Sequence, residues 1–350
     1  DWHTGLVSAY LRFLPWPAPQ LATAATVLTI HNLAYQGVFP ASIFGATGLP
    51  SRLFRPTGME FYGNVNFMKA GLYYADRLTT VSPTYAEEIC TSEFGHRLDG
   101  VLRERRNVLT GIVNGADYNV WNPTTDSALA ATYTANDLNG KATCKLALLR
   151  MFGMVEDLES PLLGMVTRLT DQKGVDLVLQ TLERLFALDA NLVILGSGER
   201  QYEGFLAALA RRYPNRLGVR LGFNDTLAHQ IQAGSDCLLM PSRFEPCGLT
   251  QMYAMRYATI PIVRATGGLK DTVTPFDPTT RQGVGFVFTE ATADVLLETV
   301  RTALSVFADK STWRQLQRNA MASDFSWNRS AARYIELYRQ VIEEKQRAGE

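Results

Sequence analysis

The sequence of 350 residues has no excess of either charge sign: 34 Lys and Arg face 34 Asp and Glu, for a formal net charge of zero. That balance lacks the basic footprint of a dedicated nucleic-acid binder and gives no polybasic membrane anchor. Apolar runs are short, well under the ~18 consecutive residues of a membrane-spanning helix. Cysteine is scarce. Cys90, Cys144, Cys237 and Cys247 form no C-x-x-C pair and no dense disulfide spacing, so reduced thiols in a cytoplasmic protein are expected. The four histidines, His3, His31, His96 and His229, make no metal-spaced cluster, and no Asp-x-Asp pair is present to bridge a metal to a phosphate. No metal or cofactor is expected. The chain opens on Asp1 rather than Met, inside what reads as a strand-to-helix junction, and is expected to lack its natural start.

Apolar residues make up 46% and charged residues 19%, enough to build a core in each of two domains. Strand and helix patterns alternate along the chain. Strands are expected near 25–30, 77–81 and 108–113, with a helix over 67–75 and another opened by Ser82-Pro83. A polar stretch around 119–139 reads as a linker or surface excursion. A second series follows, with strands near 161–166, 191–195, 217–221, 237–240 and 260–263. Val175, Val178, Leu182, Leu185 and Phe186 between the first two have helical spacing. The end, 291–349, reads as three helices. Repeated β-then-α units imply a parallel sheet covered by helices, the α/β class.

Ligands of such sheets bind at the carboxyl ends of the strands. After the strand at 161–166 come Arg168 and Lys173, two cations across a turn into a helix. Such a pair is surface decoration by default. Here it is placed to hold an anion, and two full charges outweigh the roughly half charge of a helix terminus. After 237–240 comes Ser242-Arg243-Phe244-Glu245-Pro246-Cys247-Gly248-Leu249-Thr250-Gln251. Pro246 holds Glu245 extended, and the run that follows opens a helix whose first N–H groups lack intrahelical acceptors. A carboxylate beside an anion site fits a neutral sugar or a developing positive charge, with a helix-capping role as the lesser alternative. Gly222-Phe223 could offer a stacking aromatic, though a lone Phe is more often core. Gly196-Ser197-Gly198 does not complete G-x-G-x-x-G, since position 201 is Gln, and this disfavours a nicotinamide-dependent oxidoreductase. In the first half, His31-Asn32 ends one strand and Asn114-Gly115 follows another.

These motifs closely resemble those of the bacterial glycogen synthases and the related plant starch synthases. The likeness runs through Asp1-Trp2-His3, His31-Asn32-Leu33-Ala34-Tyr35-Gln36-Gly37, Met68-Lys69-Ala70-Gly71-Leu72 and Val81-Ser82-Pro83-Thr84-Tyr85-Ala86. It continues through Arg168-Leu169-Thr170, Gln172-Lys173-Gly174, the 242–251 run, Ala265-Thr266-Gly267-Gly268-Leu269 and Asp324-Phe325-Ser326-Trp327. The family's Lys-Thr-Gly-Gly-Leu motif, normally near its N-terminus, is not in this chain, and Thr266-Gly267-Gly268-Leu269 is no substitute for it.

The resemblance implies a GT-B fold, two Rossmann-like domains with parallel sheets facing each other, the first incomplete. Domains are expected at 1–145 and 146–325, with a helix over 326–350 crossing back to the first. It implies transfer of glucose from ADP-glucose to the non-reducing end of an α-1,4-glucan, with retention and release of ADP. Arg168 and Lys173 would bind the departing diphosphate, and Glu245 and His31 would act at the sugar. Asp1 and Asn114 would help hold the donor. Gly222, Phe223, Cys247, Gly248, Leu249 and Thr250 would line its nucleoside and phosphates, and Trp2 would meet the acceptor. A non-catalytic nucleotide or glucan binder and a plastid-type starch synthase are the alternatives.

Overall fold

The computed structural model describes residues 1–15, 21 and 23–349. It comprises two compact units, Asp1–Gly115 with Asn328–Glu350, and Ala116–Trp327. The division falls after Gly115, not after residue 145 as the sequence suggested.

In the first unit, α1 (Val7–Phe13) precedes β1 (Val27–Ile30), followed by β2 (Val38–Pro40), β3 (Glu60–Phe61) and β4 (Asn64–Asn66). Then come α2 (Phe67–Tyr74), β5 (Arg77–Thr80), α3 (Pro83–Glu88), α4 (Asp99–Glu104) and β6 (Leu109–Gly111). Strands β1, β5 and β6 form a parallel sheet in that order. A small antiparallel sheet, β2-β4-β3, was not foreseen from the sequence. Side chains start the helices. Asn66 accepts from the Lys69 N–H at 2.9 Å, and Ser82, just before Pro83, accepts from the Tyr85 N–H at 2.9 Å. Lys69 lies buried and donates its ammonium to the carbonyls of Pro56 at 2.7 Å and Glu60 at 2.5 Å. The C-terminal helix, Trp327–Gly349, packs Leu337 and Val341 on Ile112 of this unit. Lys345 pairs with Asp76 at 2.9 Å, and Arg77 grips Glu344 through two nitrogens.

The second unit contains α5 (Asn139–Met151), β7 (Leu162–Val166), α6 (Val175–Phe186), β8 (Asn191–Gly196) and α7 (Arg200–Arg212). It continues with β9 (Leu217–Leu221), α8 (Asp225–Gly234), β10 (Cys237–Met240), α9 (Thr250–Arg256), β11 (Ile260–Arg264) and α10 (Gly267–Thr272). It closes with β12 (Phe286–Phe288), α11 (Ala293–Ala308) and α12 (Lys310–Met321). The sheet is all parallel, in the order β9-β8-β7-β10-β11-β12. β8 is buried along its whole length, as expected of a strand covered by helices on both faces.

Residues 116–138 belong to this unit because their aromatic side chains pack into it. Trp121 is sandwiched between His229 (centroids 3.7 Å apart, 11° between planes) and Tyr253 (4.0 Å, 3°). Asp126 contacts His229 Nδ1 at 2.6 Å and accepts from the Tyr257 hydroxyl at 2.5 Å.

At the amino ends of the strands, Lys145 and Asp236 form a buried ion pair at 2.7 Å. Lys145 also donates to the carbonyls of Leu158 and Ser160, both at 2.8 Å, and Asp236 accepts from the Leu162 N–H at 2.8 Å. This one pair ties α5 to the starts of β7 and β10. Removing one partner strands the other charge, a loss of about 3–5 kcal/mol. Lys145→Met is therefore expected to lower the urea-unfolding midpoint of the full chain by an equivalent amount. A loss below about 1 kcal/mol would show that the pair is not holding these elements together.

Candidate functional site

In the second unit the chain runs outward in opposite directions from β7 and β10, which lie side by side. The crevice at the carboxyl ends of two such strands is where open parallel sheets bind ligands. Two loops meet there. The first, after β7, ends at Gly174, whose φ is +68°. A Cβ on Gly174 would stand 2.2 Å from the Pro241 carbonyl oxygen, so only glycine lets this loop lie against the one after β10. Gln172 stitches the loops together: its carbonyl accepts from the Arg243 N–H at 2.8 Å, and its amide donates to the Phe244 carbonyl at 3.1 Å.

The stitching brings Lys173 Nζ to 2.5 Å from Glu245 Oε2, with only 15% and 8% of the two side chains exposed. The same carboxylate oxygen accepts from Ser242 Oγ at 3.0 Å. Arg168 lies at the exposed mouth and donates to Gln172 Oε1 at 3.3 Å. The Lys173–Glu245 pair is neutral as a unit, and Arg168 adds a further guanidinium at the mouth of the crevice.

Further contacts set the backbone around Glu245. Arg243 forks onto both carboxylate oxygens of Asp176, each at 2.7 Å, and holds that carboxyl below its ordinary pKa. Arg264, at the end of β11, donates to the carbonyls of Ser242 at 2.8 Å and Arg243. The Gly268 N–H donates to the Glu245 carbonyl at 3.1 Å. Gln251, in the first turn of α9, donates to the carbonyls of Cys247 at 3.1 Å and Gly248 at 3.0 Å. Sequence reasoning had not assigned roles to Ser242, Arg243, Gln251 or Arg264. For Arg264 the signal was available, since a cation at a strand's carboxyl end is the cue that had pointed to Arg168.

The structure thus gathers Arg168, Lys173, Glu245, Cys247, Gly248, Leu249 and Thr250 around β7 and β10. Gly222 and Phe223 sit at the carboxyl end of the edge strand β9. There the Gly222 N–H donates to the Gly196 carbonyl at 2.9 Å, and Phe223 is 91% exposed. Phe223 is therefore not a core residue.

The other expected residues belong to the first unit. His31 follows β1 and Asn114 follows β6, both at the carboxyl edge of the parallel sheet. One carboxylate oxygen of Asp1 accepts from the N–H groups of His31 at 2.8 Å and Asn32 at 3.3 Å, which fixes the turn that presents the imidazole. Partial burial, and then the nearby Asp1 ammonium, lowers the His31 pKa and favours the uncharged ring. The Trp2 indole is half-buried, stacked on His3 at 3.9 Å and packed against Gly37. Among the described residues, no group of three or more His, Cys, Asp or Glu side chains could hold a metal ion. No helix among them is long and apolar enough to cross a membrane.

Comparison with known proteins adds a second line of evidence. Residues 1–104 match the family described as the starch synthase catalytic domain, and residues 151–320 match glycosyl transferases group 1. A glycogen synthase of Anaeromyxobacter dehalogenans is 54% identical over 97% of this chain and 71% of its own length. One from Koribacter versatilis is 50% identical over 97% of this chain and 70% of its own. Among solved structures, the catalytic domain of starch synthase IV from Arabidopsis thaliana, bound to ADP and acarbose, superposes with a TM-score of 0.92. It is 37% identical, over 98% of this chain and 72% of that one.

The glycine turn after β11 gives a direct test of the loop geometry. A Cβ on Gly268 would lie 2.1 Å from the Cys247 carbonyl oxygen, which is backbone and cannot step aside. Gly268→Ala is expected to destabilise the protein by more than about 1 kcal/mol. An unchanged melting temperature would show that the turn has slack.

Proposed function

The chain belongs to the bacterial glycogen synthase family, and on that premise we propose how its residues divide the work. It is a glycosyltransferase of the GT-B fold, and its reaction elongates an α-1,4-glucan with glucose from a nucleotide-sugar. The donor we assign is ADP-glucose, and the observation that carries the reading is the Arg168, Lys173 and Glu245 cluster at the β7/β10 crevice.

Lys173 has three N–H donors and spends one on Glu245. Its remaining donors, with Arg168, receive the diphosphate as it departs. Charge building on the leaving oxygens is stabilised by groups already in place, which is where preorganised electrostatics lowers a barrier most. Glu245, held by Lys173 and Ser242, faces the glucosyl ring and steadies positive character at the anomeric carbon. His31, as a neutral imidazole, and Asn114 contribute hydrogen bonds to the sugar. Asp1 positions His31. Trp2 contributes its half-buried indole to the acceptor. Phe223 stacks on the base. Two strand steps of about 4.8 Å separate β9 from β7, roughly the span from a base to its diphosphate.

We assign retention to a front-face route. The bond from the anomeric carbon to the phosphate oxygen breaks, and the acceptor's 4-hydroxyl oxygen bonds to the same face. The hydroxyl proton passes to the departing phosphate. This route needs no second carboxylate as nucleophile, and side-chain cations take the part that a metal plays elsewhere. The reading places the enzyme in the cytoplasm, in keeping with four buried cysteines that form no disulfide.

The decisive assay is incorporation of labelled glucose into glycogen from ADP-glucose and UDP-glucose separately, each with and without a chelator. Transfer from ADP-glucose that survives chelation is expected. Transfer from UDP-glucose alone would overturn the donor assignment. Glu245→Gln is expected to lower kcat more than tenfold, about 1.4 kcal/mol in the barrier, with ADP affinity within a few-fold. Undiminished turnover would remove Glu245 from the catalytic set. Lys173→Ala is expected to weaken ADP binding and slow transfer together, and a change confined to the acceptor KM would refute its phosphate role.

A further inference from the structure

The second unit has another cavity, of about 400 Å³, at the opposite end of its sheet from the crevice. Lys145 and Asp236 lie at its base, beside the amino ends of β7 and β10. The five residues of β7, at about 3.3 Å each, hold the two ends roughly 15 Å apart. The cavity is therefore separate from the place assigned to the nucleotide-sugar, and its size is that of a small-molecule site, typically about 300–1,000 Å³.

One wall is the outer face of α12. Lys310, Arg314 and Arg318 follow one another there at intervals of four residues, so their side chains rise from the same stripe of the helix. Like charges at that spacing repel, and the repulsion weakens the helix unless an anion lies among them. The local acids do not neutralise the stripe. Asp236 is taken by Lys145 at 2.7 Å, and Glu159 by Lys310 at 3.2 Å. Lys141, buried beneath, donates to the carbonyls of Ala233 and Tyr257 and to Thr259 Oγ1, and burial brings its pKa down to about 7. Asp137 is the remaining carboxylate, one oxygen of which accepts the Asn139 N–H at 3.0 Å. Two guanidinium groups, Arg314 and Arg318, thus face a single remaining acid.

The other walls differ in kind. Phe307 and Trp313 meet edge to face, centroids 5.2 Å apart, and form an apolar wall, with the Lys310 ammonium 3.6 Å above the Phe307 ring. Asn136, Asp137 and Asn139 line the cavity with groups suited to hydroxyls. Paired guanidinium forks match a phosphate, carboxamides match a polyol, and an aromatic wall suits the apolar face of a ring. We propose that this cavity is a second ligand site, for a phosphorylated sugar, with Arg314 and Arg318 holding the phosphate.

Calorimetric titration of the full chain tests this, with ADP present at saturation to occupy the nucleotide site. The probes are glucose 6-phosphate, ribose 5-phosphate, glucose and inorganic phosphate. At least one sugar phosphate is expected to bind, with affinity at least tenfold lower in the Arg314→Ala/Arg318→Ala variant, and glucose is expected not to bind. Both arginines are exposed, so the variant is expected to keep its melting temperature and its basal transfer activity. Three results would overturn the proposal. They are no heat from either sugar phosphate, binding that the double variant leaves intact, and inorganic phosphate binding as tightly as the sugar phosphates.

Discussion

The contact between Lys173 and Glu245 is the constraint around which the rest of the second unit is arranged. The two residues are 72 positions apart in sequence. They meet only because the sheet order places β7 beside β10 and because the loops above those strands can touch. Each neighbouring feature serves that approach. Gly174 has no Cβ where Pro241 presses, Gly267 has none where the Glu245 carbonyl lies, and Arg264 gathers two carbonyls of the loop that carries the carboxylate. A buried ion pair is a weak source of stability, because desolvation consumes most of the Coulombic gain. What the pair provides is position: a carboxylate and an ammonium whose orientation is fixed before any ligand arrives.

Much of this was legible in the sequence, for topological reasons. In a parallel sheet, functional side chains follow strands, so finding the apolar runs at 161–166 and 237–240 was enough to single out Arg168, Lys173 and Glu245. Their pairing was not legible. It depends on which strand lies beside which, and no local pattern encodes that. Lys173 read as a phosphate cation and Glu245 as a sugar contact, and neither reading revealed that each is the other's partner. The β2-β4-β3 sheet escaped because strands of two or three residues cannot display alternation. The strand Phe286–Phe288 escaped for the same reason. The unit boundary was misplaced because the polar composition of 119–139 conceals Trp121 and Tyr133, two aromatics whose packing outweighs the surrounding Asn, Asp and Thr.

The first unit follows the same logic with different means. Its parallel strands also present their chemistry at the carboxyl edge. There a carboxylate from Asp1, rather than a cation, sets the geometry by accepting two backbone N–H groups at the end of β1. Part of the signature shared with the glycogen synthases is therefore structural in role. Gly37 is glycine because the Trp2 ring lies against it, and Lys69 serves a pair of backbone carbonyls.

The stacking of Trp121 between His229 and Tyr253 bears on how the molecule can be divided for study. The second unit, cut at the apparent linker near residue 146, would lose the indole and leave two rings facing a gap. It would also lose Asp126, the shared partner of His229 and Tyr257. A cut between Gly115 and Ala116 keeps that clasp whole, and stopping before the C-terminal helix leaves out a segment that packs on the first unit. The natural seam for expressing this half alone therefore lies about thirty residues upstream of where composition alone would place it.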